Sequence, residues 1–175
     1  MANTSRLHKV KDEVDPIKFL ESQHREVESL FERIEKMGDK AIKSKAELFG
    51  ELAHKIECHA QIEEKVLYPA GKELDKDMTL EAYEEHALVR ELIQKISRTS
   101  PTDEVFMARV TVLKELIEHH VEEEEQEYFP KFRKNLDQDE LLELGIELRE
   151  EFAALDKKVP RRFPELKVAA IRKVH

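Results

Sequence analysis

Residues 59–69 read HAQIEEKVLYP, and residues 120–130 read HVEEEEQEYFP. In each segment a His is followed four residues later by a Glu, a second Glu comes next, and an aromatic-Pro pair closes the stretch. Residues four apart share one face of an α-helix. His59 with Glu63, and His120 with Glu124, therefore present an imidazole and a carboxylate side by side, a donor pair for a first-row divalent cation.

Two more histidines join them. SQHREVESLFERIE (22–35) aligns with EEHALVRELIQKIS (84–97), which sets His24 opposite His86. His24 to His59 is 35 residues and His86 to His120 is 34, so the chain reads as a duplicated helical hairpin with an approximate twofold axis. Each His falls on an apolar stripe of helical period. His24 belongs with Ile17, Leu20, Val27, Phe31 and Ile34. His59 and Glu63 lie with Leu48, Leu52, Ile56, Val66 and Leu67. His86 is grouped with Tyr83, Val89, Leu92, Ile93 and Ile96, and His120 and Glu124 with Leu113, Leu116, Ile117 and Tyr128.

An inward His alone is ordinary in a core. An inward carboxylate is not: withdrawing it from water costs several kcal/mol, and two facing one another also repel. One or two divalent cations remove both penalties. Six such donors without a usable Cys exceed a tetrahedral structural zinc site. Bridging carboxylates with imidazoles suit paired iron or manganese. The economical assignment is two ions sharing Glu63 and Glu124, with two His each. That leaves room for an oxo or hydroxo bridge and an exogenous ligand. The Glu-x-x-His order of ferritin-like bundles is met by Glu21 and His24, but the counterpart position before His86 is Tyr83. His54 and His119 lie off the stripes, and His8 and His175 are near the ends, so all four are expected at the surface. The second Glu of each repeat is expected to face solvent, and Cys58 to be a small packing residue.

The elements that must position these groups are delimited by caps and prolines. Asp15-Pro16 opens a first helix that Gly38 stops. Ser44 with Glu47 fits a capping box for a second, expected to end just before Pro69. A third starts near Thr79 and fades by Ser97. Ser100, Pro101 and Asp103 begin a fourth, which Pro130 ends or kinks. Asp137 with Glu140 caps a fifth, running to about Lys158. The expected fold is all-α: an up-down-up-down antiparallel four-helix bundle over residues 15–134, with the additional helix (135–159) outside it or capping one end. A leader (1–14) and a basic tail (160–175) flank it.

Composition agrees. The 175 residues include 40% hydrophobic and 39% charged side chains, four Gly and no Trp, which favours helices over sheet. The net charge of −9 argues against nucleic acid as a general partner. Residues 156–175 carry seven basic and two acidic side chains, +5, leaving −14 on the remainder. One cysteine, no signal-like start and no apolar run of the roughly 18 residues a membrane span needs make a reducing cytoplasm the expected setting.

HREVESLF, HAQIEEKVLYP, EEHALVREL and HVEEEEQEYFP, in that order, resemble the hemerythrin family, in particular bacterial proteins with the hemerythrin HHE cation-binding domain. The resemblance implies a non-heme centre of two iron ions, oxo- or hydroxo-bridged. His24, His59, His86 and His120 would be terminal ligands, with Glu63 and Glu124 as bridges. It implies binding of O2 or a related small ligand, nitric oxide or peroxide, for sensing, storage or stress response. The alternative is a di-iron enzyme acting on peroxide, nitric oxide or Fe(II). Oxygen-carrying members have a fifth His one turn before the residue matched by His86; here that position is Ala82. Tyr83, Glu28 and Glu125 are the candidates to compensate, Tyr83 as phenolic ligand or hydrogen-bond donor, Glu28 as an extra carboxylate and Glu125 as a rival bridge.

Overall fold

The computed structural model describes residues 14–38 and 40–161. Helix α1 (Pro16–Glu35) starts as its sequence predicts, with the Asp15 side chain accepting from the Lys18 N–H at 3.0 Å and proline in the first turn. Helix α2 (Ile42–Ile62) starts earlier than its expected capping box: Ala41 is the N-cap, without a side-chain cap bond. The Lys45 N–H already reaches the Ala41 carbonyl at 2.8 Å, so Ser44 lies inside the first turn.

The largest departure comes at the prolines. Neither Pro69 nor Pro130 ends a helix. After α2 the chain makes a π-helical turn, Glu63–Leu67, and runs on as α3 (Tyr68–Leu74). Helix α5 (Glu104–Glu123) does the same through a π-turn at Glu124–Tyr128 into α6 (Phe129–Asn135). In each π-turn the N–H of the aromatic residue bonds five residues back, Tyr68 to the Glu63 carbonyl and Phe129 to the Glu124 carbonyl. The wider turn relieves the clash and missing donor that proline brings to a regular α-helix, and the helix axis continues.

Between these lies α4 (Lys76–Ser97), begun three residues before the expected Thr79 because the Asp75 side chain caps the Met78 N–H at 3.1 Å. Helix α7 (Gln138–Leu155) opens on the predicted capping box of Asp137 and Glu140. Among the described residues there is no strand. Helices α1 with α2, and α4 with α5, form the two hairpins of the bundle, and α7 packs outside across α1 and α2. Gly145 lets α7 approach closely, since a Cβ there would fall 1.8 Å from the Val14 carbonyl oxygen.

The core has two apolar halves. One contains Val27, Ile34, Ile56, Val89 and Leu113. The other contains Leu20, Ile62, Tyr68, Ala82 and Tyr128. His24, His59, His86 and His120 fall between them along their helices, so one polar layer crosses the bundle between two apolar ones.

Candidate metal centre

That layer collects all six inward donors. His24, His59, His86, His120, Glu63 and Glu124 are each between 0% and 8% exposed. The Nε2 atoms meet in pairs, His24 with His59 at 3.0 Å and His86 with His120 at 3.1 Å. The carboxylates span the pairs. Glu63 Oε1 lies 3.1 Å from His59 Nε2 and its Oε2 3.4 Å from His86 Nε2. Glu124 Oε2 lies 3.4 Å from His24 Nε2 and 3.5 Å from His120 Nε2. Each Glu thus touches one imidazole from each hairpin. Both oxygens of Glu63 and Oε2 of Glu124 are nevertheless buried without a directed hydrogen bond among the described residues.

The outer nitrogens explain why the inner ones need a cation. His24 Nδ1 faces Glu125 at 2.8 Å, His59 Nδ1 faces Gln23 Oε1 at 2.8 Å, His86 Nδ1 faces Glu64 at 3.0 Å and His120 Nδ1 faces Glu85 at 2.7 Å. Each of these oxygens accepts, so each Nδ1 carries the proton and the Nε2 lone pairs point at one another. A proton or a metal ion must sit between them. Burial would lower His24, but Glu124 and Glu125 raise it to about 9; His86 is likewise raised to about 9 by Glu63 and Glu64 against its burial. Burial holds His59 below the usual imidazole value, whereas Glu124 and Glu85 raise His120 despite its burial. Burial would raise Glu63, yet His59 and His86 hold it well below the usual carboxylate range.

Two groups of donors close enough to hold an ion result: His24, His59, Glu63 and Glu124, then Glu63, His86 and His120. Glu63 is common to both. The hemerythrin HHE cation binding domain model matches residues 15–132. This chain belongs to that family. Within hemerythrin-like proteins it is 29% identical over 128 residues to an uncharacterized hemerythrin-like protein of Schizosaccharomyces pombe, covering 70% of this chain and 61% of that one. It is 29% identical over 140 residues to a DNA nickase of Nostoc sp. (strain PCC 7120), covering 79% of this chain and 38% of the nickase. The chain therefore spans less than two thirds of either curated relative. The crystal structure of a hemerythrin HHE cation binding domain-containing protein from Mycobacterium kansasii superposes with a TM-score of 0.73 at 23% identity, over 81% of this chain and 86% of that one, and supports the fold.

The compensating residues expected around this candidate centre are redistributed. Glu125 lies behind His24 rather than between the pairs, and Arg25 also donates to it. Glu28 is half-exposed and paired with Arg25. Tyr83 points away, its hydroxyl donating to the Glu64 carbonyl at 3.0 Å. The phenol that reaches the centre is Tyr68: its hydroxyl donates to Glu124 Oε1 at 3.2 Å and lies 3.3 Å from His86 Nε2. Burial, then Glu124 and Glu63, push the Tyr68 hydroxyl well above the usual phenol value.

Gln23, Glu64 and Glu85 escaped the sequence reading, and Glu64, like Glu125, is not solvent-facing as expected. The available signal was position: Gln23 and Glu85 each immediately precede an inward His, and Glu64 and Glu125 each immediately follow an inward Glu. Such partners fix ring orientation and raise ligand basicity. His119 is exposed, as expected. His54 is not: it is 1% exposed, with Nε2 2.9 Å from Asp156 Oδ1 and Nδ1 3.1 Å from the Val159 carbonyl. His8 and His175 lie outside the described residues. Cys58 is buried, as expected, and burial pushes its thiol up to about 11.

Proposed function

We propose that this chain holds a non-heme centre of about two iron ions, one at each Nε2 pair, with Glu63 and Glu124 bridging them. The observation that carries this is the bridging geometry: two buried carboxylates, each in contact with an imidazole of both pairs and with oxygens left unpartnered. Bound there, paired iron supplies open coordination positions and electron-transfer chemistry toward O2, nitric oxide or peroxide.

The surroundings favour a small ligand. A cavity of about 20 Å3 touches all four imidazoles and is otherwise lined by Val27, Ile56, Ala60, Ile117 and Val121. It is close to the size of one water but apolar, so it suits a diatomic better than water. Glu64, Glu85, Glu125 and Gln23 hold the imidazoles in place. The reading is a small-ligand binding protein for sensing, storage or stress response, set in a reducing cytoplasm, with neither nucleic acid nor membrane as partner. No described helix is long and apolar enough to cross a membrane.

A second reading, catalysis on peroxide, nitric oxide or Fe(II), draws on Tyr68. Its hydroxyl stands beside Glu124 and His86, where it can deliver a proton to a reacting group. Metal analysis with absorption spectra of the reduced protein before and after exposure to air tests the centre. About two irons per chain and a new visible band are expected; a colourless, metal-free, fully folded protein would sink it. A stable oxygenated band favours the carrier or sensor, whereas a band lost within seconds with turnover of added peroxide favours the enzyme.

A further inference from the structure

The pseudo-twofold that duplicates the donors does not duplicate what surrounds them. On the first-hairpin side, Phe19, Leu20, Cys58, Ile62 and Val66 are packed in one apolar cluster with Leu144 and Leu148 of α7. The matched positions of the second hairpin are Glu81, Ala82, His119, Glu123 and Glu127. One flank of the centre is therefore apolar and roofed by α7. The opposite flank is acidic and has Ala82 where the first hairpin has Leu20.

A cavity of about 80 Å3 opens on that acidic flank, lined by Ala82, Glu81, Glu85, Glu123 and Glu127 and ending on Glu124 and His120 of the centre. Among the described residues no Lys or Arg lines it. At about 30 Å3 per liquid water it has room for an ion and a water or two. Two of its lining residues, Glu85 and Glu123, form a third group of donors with His119. His119 Nε2 lies 3.9 Å from Glu85 Oε1 and 3.6 Å from Glu123 Oε1, and His119 is 60% exposed. Glu85 faces both ways, because its Oε2 meets His120 Nδ1 at 2.7 Å. The inner end is Glu124, 2% exposed, which lines the cavity and turns its buried, unpartnered Oε2 to the Nε2 atoms of His24 and His120.

We propose that this cavity is the loading route for the centre's divalent cations, with Glu85, His119 and Glu123 as the outer capture site. The proposal rests on the reading of the six inner donors as a metal centre. Carboxylates along a low-dielectric cleft concentrate cations and hand them inward. The larger cavity, about 260 Å3 beside His24, is lined by Glu28, Glu118, Glu122 and Glu125, but Arg25 is paired with Glu28 and Glu125 and Lys114 with Glu118, which leaves it the weaker attractor of cations.

The test is the rate at which Co2+, followed by its visible absorption in a stopped-flow instrument, enters the metal-stripped full-length chain. The double variant Glu123→Gln, His119→Asn should reach the same final stoichiometry and melting temperature as the wild type. Its loading at low salt should be about tenfold slower or more, and the gap should shrink as salt screens the carboxylates. Ala82→Leu, which installs the residue of the sealed flank, should slow loading without lowering stoichiometry. Glu122→Gln, beside the larger cavity, should load at the wild-type rate. Equal rates for the double variant and the wild type would overturn the route and leave the centre standing. Lower final stoichiometry in the double variant would overturn its assignment as an outer site. A wild type that takes up no Co2+ would overturn the centre itself and the route with it.

Discussion

Glu63 is the residue on which the two halves of the donor set depend, since its two oxygens face His59 and His86 separately. Replacing it with Ala should abolish paired-metal binding while leaving the fold intact, because the cost of burying a carboxylate that accepts no directed hydrogen bond is removed at the same time; retention of both ions would show that the bridge lies elsewhere. Glu64 acts one step out, accepting from His86 Nδ1 and from Arg90 at 2.7 Å. Glu64→Gln keeps the shape but weakens the acceptor, so a competing chelator should report metal affinity lower by roughly 10–100-fold. Protons compete for the same nitrogens. His24 and His86 are raised from 6.5 to about 9 in the metal-free protein, so at pH 7 loading must expel protons, and affinity should fall as pH falls. The sign for stability of the metal-free chain is opposite: the contribution of these raised groups is complete below 6.5 and is lost as pH rises through about 9. Melting of the stripped protein across that window should show the decline, and proton release on metal titration should show the competition.

At the scale of elements, the two π-turns do what a regular helix could not. Five residues of α-helix would rotate Tyr68 about 140° away from the face of Glu63. The π-turn returns it to that face, so Tyr68 stacks on His86 at 5.4 Å between ring centroids, and Phe129 stacks on His24 at 5.8 Å. Continuing the helix past Pro69 also brings α3 against the second hairpin. Gly71 is needed there, because a Cβ would fall 1.9 Å from the Tyr128 hydroxyl. Gly71→Ala should cost roughly 1–3 kcal/mol by overpacking, read as a lowered melting temperature. What was legible beforehand is what period carries: four apolar stripes, the His-to-Glu spacing of four, and the caps at Asp15, Asp103 and Asp137. The prolines misled because the rule that they stop helices holds for α geometry and not for a π-turn. His54 was illegible for another reason. Its partners, Asp156 and Val159, are contributed from beyond the bundle by the end of α7 and the turn after it, so no pattern on its own helix marks it as buried.

Over the whole molecule, the polar layer is both the weakest part of the core and the part that ties the hairpins together. Without a metal ion it holds imidazole pairs that must each bury a proton between their Nε2 atoms, and carboxylate oxygens without directed hydrogen bonds, between apolar layers that would pack well alone. Filled as proposed, the same layer would link α2 to α4 through Glu63 and α1 to α5 through Glu124, and both hairpins would share each ion. Metal that binds only the folded chain stabilises it by about 2.7 kcal/mol per site at a hundredfold excess over its Kd. In a domain of this size 1 kcal/mol moves the melting temperature by roughly 2–4 °C, so loading should raise it by roughly 5–10 °C or more. The transition should stay single, because neither hairpin can leave without dismantling the site. A loaded protein that melts at the temperature of the stripped one, or in two steps with metal retained through the first, would show that the hairpins do not share the ions.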